Sequence, residues 1–154
     1  MRILMLGNSF TSSNNLPGLL AQLTGAQVVA HTRGGARLSE QLNPYTKLGS
    51  KTRAALAREP WNYVVLQEMS HGPVTSPKSF FASVEGLCGL IREAGAVPVL
   101  YATWAYQKGG TKLASKGWGD VYKRQTLSRL ALASSISRLT PGRSKFVPEY
   151  PSSI

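Results

Sequence analysis

Hydrophobic residues in this chain fall into a few short unbroken runs, separated by longer stretches where they recur every three or four positions. The runs read as strands: Arg2–Leu6, Gln27–Ala30, Asn62–Leu66 and Val97–Ala102. Asn62–Leu66 is the clearest, a buried-strand pattern introduced by Pro60-Trp61 and closed by polar Gln67-Glu68. The periodic stretches read as helices over Leu16–Leu23, Leu38–Leu42, Ser50–Arg58 and Ser79–Ala94. Pro44 interrupts the second of these, and Ala54, Ala55, Leu56 and Ala57 supply strong helix formers to the third. In the last, Phe80, Phe81, Val84, Leu87, Leu90 and Ile91 form one apolar stripe, and Gly95 is placed to stop it.

Strands alternating with helices imply βαβ units, and hence a three-layer α/β/α sandwich around a parallel sheet. In such sheets the loops leaving the carboxyl ends of the strands gather at one edge, where ligands bind. Three of those loops open with polar or bare backbone: Asn8-Ser9, Gly34-Gly35 and Gln67-Glu68. Beyond Gly117 the pattern weakens. Thr126–Leu139 reads as one amphipathic helix, and the closing TPGRSKFVPEYPSSI, with three prolines, reads as a loose tail.

Length and composition add bounds. A chain of 154 residues is one domain and can bury a substantial core. No run approaches the roughly 18 consecutive apolar residues of a membrane span, so no membrane partner is expected. MRILMLG passes straight into GNSF with no small-residue cleavage site, so it is read as a strand and not as a signal peptide. The single cysteine, Cys88, falls in an apolar helical stretch and reads as a buried structural thiol. The net charge of +11 raises the question of nucleic acid. Residues 1–118 carry 12 Lys/Arg against 5 Asp/Glu and residues 119–154 carry 6 against 2, scattered without a dense basic run. A solvated basic surface is expected, and no nucleic-acid partner.

Acyl transfer needs a nucleophile, a base and donors for the developing oxyanion. Ser9 leaves a strand directly and suits the first role, or is simply an N-cap or turn residue. Asn8 and Ser9 can each offer a backbone N–H. Gly34-Gly35 is either a turn with unusual backbone angles or a bare N–H beside a substrate carbonyl. Gln67 either caps neighbouring backbone or turns its NH₂ into the site.

Taken in order, these segments resemble the SGNH (GDSL-like) hydrolases. ILMLGNSFTSSNNLP is similar to the family's first block, in a GNSFT variant of the commoner GDS. TRGGARLSEQL resembles the second block, WNYVVLQEMSHGP the third in an LQE-S subgroup, and YATWAY that subgroup's next strand. The resemblance covers roughly residues 2–118. It implies a flavodoxin-like fold and a serine ester hydrolase acting on small acyl esters, acetyl groups on carbohydrates among them. Ser9 matches the nucleophile, with its own N–H facing the oxyanion. Gly35, or less well Gly34, matches the second donor, and Gln67 stands where the family's asparagine supplies the third. Asn8, Gly34, Glu68 and His71 would line the site. This chemistry calls for no metal and no organic cofactor, and the partner expected is a small-molecule or carbohydrate ester.

The family's base lies in a C-terminal D-x-x-H motif. The two histidines here are His31 and His71, the one aspartate is Asp120, and D-x-x-H does not occur. His71, four residues after Gln67, is either a solvated loop residue or a substitute base. Glu68 either orients a histidine or holds its loop. The run GDVYKRQ marks a loss of family character and resembles translated sequencing-adaptor read-through. On that reading residues 1–118 are a partial SGNH hydrolase-like domain, and residues 119–154 are an atypical segment, foreign or frameshifted from Val121. The alternative function is then a catalytically inactive family member.

Overall fold

The structure is a computed structural model that describes residues 1–103. The expected helix over Thr126–Leu139, Asp120 and the atypical segment 119–154 lie outside the described residues. The elements in chain order are β1 (Arg2–Gly7), α1 (Ser9–Ser12), α2 (Leu16–Thr24), β2 (Gln27–Thr32), α3 (Leu38–Leu42), α4 (Lys47–Arg58), β3 (Tyr63–Leu66), α5 (Gly72–Thr75), α6 (Pro77–Glu93) and β4 (Val97–Leu100). A single 3₁₀ turn over Ser13–Asn15 links α1 to α2.

All strands run parallel, in the order β2-β1-β3-β4. The sheet therefore grows in opposite directions from β1, and the order reverses between β1 and β3. Strand register sorts the side chains by face, since neighbours across a ladder share a side. Val28, Ile3, Tyr63 and Val97 form one row, and Ala30, Met5, Val65 and Val99 the next row on that face. The opposite face carries Val29, Leu4, Val64 and Pro98, then His31, Leu6, Leu66 and Leu100.

The two faces are finished differently. Leu4, Leu6, Val64 and Leu66 are fully buried, as are Leu38 of α3 and Leu87 and Ile91 of α6. Helix α3 packs against both α6 and α4, so three helices close that side. Trp61 just before β3 is buried with its indole N–H donated to the Ala55 carbonyl of α4, 3.0 Å away. On the other face α2 lays Leu16 and Leu20 over Ile3, Met5, Val28 and Ala30. Val65 of β3 packs against the same cluster, but Tyr63, Val97 and Val99 are 39%, 49% and 39% exposed.

Local chemistry explains the boundaries. Thr46 caps α4 by accepting the Gly49 N–H at 3.0 Å, which starts that helix three residues earlier than its alanine run suggests. Gly49 is required there, because a Cβ would stand 1.9 Å from the Asn43 carbonyl oxygen. Pro77 opens α6, where a missing N–H costs nothing, and Gly95 follows its end at φ 75°. In β4 the Val97 and Tyr101 N–H groups point to β3, so Pro98 sits with its nitrogen on the side of the strand away from β3. Cys88 is buried on α6, and burial pushes its thiol pKa up. Among the described residues no helix is long and apolar enough to cross a membrane.

Candidate functional site

Where a parallel sheet reverses its order, the loops after the two central strands diverge to opposite faces and leave a crevice between them. Here those loops are Asn8 onward after β1 and Gln67 onward after β3. The structure brings them together, along with the loop after β2, around one residue. Asn8 is buried, and every polar group it has is spent. Its backbone N–H donates to Gln67 Oε1 at 2.9 Å, its Nδ2 donates to the Ala36 carbonyl at 3.3 Å, and its Oδ1 accepts the Phe10 N–H at 3.0 Å. Its carbonyl accepts from Thr11 at 3.0 Å and Ser12 at 3.1 Å.

Asn8, not Ser9, is thus the N-cap of α1. Ser9 occupies the first helical position, exposed. The N–H groups of Phe10, Thr11 and Ser12 are all taken by Asn8, so Ser9 keeps the one first-turn N–H with no acceptor among the described residues. Its Oγ likewise has no partner among them. The reading of Ser9 as a capping residue is removed.

Gly34 and Gly35 form the turn after β2, closed by the Ala36 N–H to the Arg33 carbonyl at 3.0 Å. Gly35 takes φ 68°, a left-handed conformation that glycine adopts without strain. Both glycines are exposed, and a Cβ at either would meet nothing within 4 Å. Open space therefore borders their backbone, and the Ala36 bond holds this turn to Asn8.

Gln67 departs from expectation. It is 1% exposed, and its amide does not face an open site. Oε1 accepts two bonds, from the Asn8 N–H and from Thr11 Oγ1, each at 2.9 Å. Nε2 donates to the Glu68 carbonyl. A backbone N–H can only donate, so the oxygen must be the atom facing Asn8 and the nitrogen must turn away. The expectation that Gln67 supplies the third oxyanion donor is corrected: its amide caps neighbouring backbone. Thr11, a residue the sequence reading passed over although it stands inside GNSFT, is the other half of this contact. Gly7 is shaped by it too, since a Cβ there would lie 2.2 Å from Thr11 Oγ1 and 2.6 Å from Gln67 Oε1.

Glu68 holds loops together. It is buried, with Oε2 accepting the Leu38 N–H at 3.0 Å and Oε1 the Met69 N–H at 2.9 Å. Burial raises its pKa, against the pull of those two N–H groups and of the Arg37 and His71 charges. His71 is half-buried at the N-cap of α5, its Nδ1 3.5 Å from Ser70 Oγ. His31 lies elsewhere, on the face closed by three helices. Its Nδ1 is 3.4 Å from Thr52 Oγ1, whose own proton goes to Gln41 Oε1 at 2.7 Å, while Gln41 Nε2 donates to the His31 carbonyl at 2.9 Å. The hydroxyl proton being spent, Nδ1 must carry the hydrogen. Burial first, then the Lys51 charge, lowers the His31 pKa to about 4, against the opposing pull of Glu59, so the ring is a neutral core group. Neither histidine is hydrogen-bonded to Ser9 among the described residues. No group of three or more His, Cys, Asp or Glu among those residues could hold a metal ion.

A parallel β2-β1-β3-β4 sheet with an exposed serine at its reversal point defines an α/β protein of the flavodoxin-like type. Comparison with solved structures makes this more specific. The chain is similar to a protein of Slackia heliotrinireducens described as an SGNH hydrolase, at 50% identity and TM-score 0.82, over 88% of this chain and 74% of that one. The chain belongs to the SGNH hydrolase family. Two more distant structures share the fold. One is a DUF4886 family protein from Bacteroides uniformis, at 21% identity and TM-score 0.63 over 90% of this chain and 63% of that one. The other is a lipolytic protein of the G-D-S-L family from Desulfitobacterium hafniense, at 15% and 0.57 over 81% and 73%. No protein-family model and no curated protein matched the chain.

Proposed function

We propose that the site around Ser9 is that of a serine ester hydrolase for small acyl esters, with acetyl groups on carbohydrates as the first substrates to try. The observation that carries this is the state of Ser9: an exposed hydroxyl and an unspent N–H, at the reversal point of the sheet, held by a cap that consumes every neighbouring donor. In this reading Ser9 Oγ attacks the ester carbonyl. The carbonyl oxygen becomes an oxyanion, received by the N–H groups of Ser9 and Gly35, with Gly34 adjacent. Collapse of the tetrahedral species expels the alcohol, and water then releases the acyl group. Such a donor is worth about 3–4 kcal/mol of transition-state stabilisation in hydrolases.

Proton removal from Ser9 requires a base, and here a second reading has its own support. The 154 residues contain no D-x-x-H, which favours a catalytically inactive member that binds esters without turning them over. Hydrolysis of p-nitrophenyl acetate separates the two. The esterase reading expects turnover that disappears in Ser9→Ala. Wild-type protein that matches Ser9→Ala supports the inactive reading instead. Turnover lost in His71→Ala as well would make His71 the base.

A further inference from the structure

We infer that Gln67 and Thr11 together form a latch that positions the Ser9 turn, and that Gln67 acts on Ser9 only through its bonds to Asn8 and Thr11. The inference rests on the reading of Ser9 as the nucleophile. Helix α1 is a single turn of four residues, too short to hold its own shape. Its first N–H outside the helix, that of Asn8, and a side-chain hydroxyl one turn later, that of Thr11, converge on one carbonyl oxygen at the end of β3. Thr11 is completely buried and Gln67 nearly so, so neither bond is shared with solvent. The oxygen thus fixes two points of the turn, one before Ser9 and one after it. Two fixed points set the rotation of the turn about its axis, and with it the direction in which Ser9 Oγ and Ser9 N–H face.

Gly7 makes the latch possible. The backbone of β1 passes so close to it that any side chain at position 7 would occupy the place of both the Thr11 hydroxyl and the Gln67 oxygen. Glycine, asparagine and threonine in GNSFT therefore have one common partner across the sheet. Asparagine supplies its backbone N–H, threonine its hydroxyl, and glycine the room.

The test uses the intact chain and a fluorophosphonate probe, which reports Ser9 nucleophilicity without a full catalytic cycle. Thr11→Val keeps the shape and removes one latch bond, Thr11→Ser keeps the hydroxyl, and Gln67→Met removes the acceptor. Losing a buried bond that orients the nucleophile is expected to slow Ser9 labelling about tenfold in Thr11→Val. Gln67→Met slows it at least as much, and the double variant is no slower than Gln67→Met alone. Thr11→Ser restores most of the rate, which a generally loosened fold would not do. Slowed labelling in Gln67→Met with an unchanged rate in Thr11→Val overturns the inference, because it makes Gln67 a direct donor. If wild-type Ser9 does not label at all, the nucleophile reading has failed, and amide hydrogen exchange decides the latch separately. Asn8 exchange is expected to accelerate in Gln67→Met, and Asn8 protection unchanged in that variant overturns the inference.

Discussion

The two faces of the sheet are built from the same four strands, yet the described residues close only one across its whole width. Helices α3, α4 and α6 bury Leu4, Leu6, Val64 and Leu66 completely, while on the other face the described cover reaches Val65 of β3 and leaves Tyr63, Val97 and Val99 exposed. The largest fully buried apolar side chains among residues 1–103 lie on the closed side, while Ile3 and Met5, with Ala26, form a separate buried cluster on the other. Apolar pattern alone therefore does not measure a residue's contribution. Val97 and Val64 look equally strand-like in sequence, and one is half in water while the other is fully packed.

Substitutions can break this contrast or sharpen it. Leu87→Ala on α6 should have the largest effect, about 3 kcal/mol of lost stability in a denaturant titration, from lost burial plus an unfilled cavity. Gly49→Ala should cost about 2–3 kcal/mol in the same measurement, since its methyl group would strike the Asn43 carbonyl. Its sign is the informative part, because alanine is the better helix former by roughly 1 kcal/mol. His31 gives a pH test of the closed face. Its pKa is near 4 in the folded chain and ordinarily 6.5, so the folded state binds fewer protons in that interval and stability falls as pH drops through it. The loss should be on the order of 2 kcal/mol between pH 6.5 and 4, measured against His31→Gln, which cannot titrate. Glu68 works the other way, as its raised pKa makes the fold lose stability as pH rises above 4.5, and it remains in both proteins. Val99→Thr on the open face should change stability by less than about 0.5 kcal/mol, and a change as large as that of Leu87→Ala would mean this face is closed after all.

Much of this architecture was legible in the chain. All four strands and the longer helices follow from apolar periodicity, and Gly95 marks the end of α6, while its start at Pro77 lies two residues before the expected Ser79. Strand–helix alternation alone led to the expectation that the loops opening with Asn8-Ser9, Gly34-Gly35 and Gln67-Glu68 gather at one edge, and Asn8 is bonded to Gln67 and to Ala36 just after the glycines. Helices α1 and α5, four residues each, were not legible, because a single turn has no period to detect. Lys47–Gly49 were missed at the start of α4 because the cap on Thr46, rather than propensity, decides where it begins. Gln67 was ambiguous for a deeper reason. Whether a glutamine amide faces a cleft or a strand depends on which donors wait across the sheet, and Asn8 and Thr11 stand more than fifty positions away. The GNSFT motif contained the answer, but only the register of β1 against β3 says which of its residues Gln67 can reach.

Pro98 has a consequence beyond the fold it belongs to. It occupies the outward-facing donor position of β4, an edge strand among the described residues, where its ring leaves no N–H to offer. A strand from a neighbouring molecule that tried to extend the sheet here would find a ladder with a missing rung. Among the described residues, with Val97 and Val99 exposed beside it, this edge would otherwise be the natural starting point for cross-molecular stacking during synthesis and refolding. Replacing Pro98 by valine is expected to leave the protein's circular-dichroism spectrum intact while lowering the concentration at which it precipitates, read by light scattering.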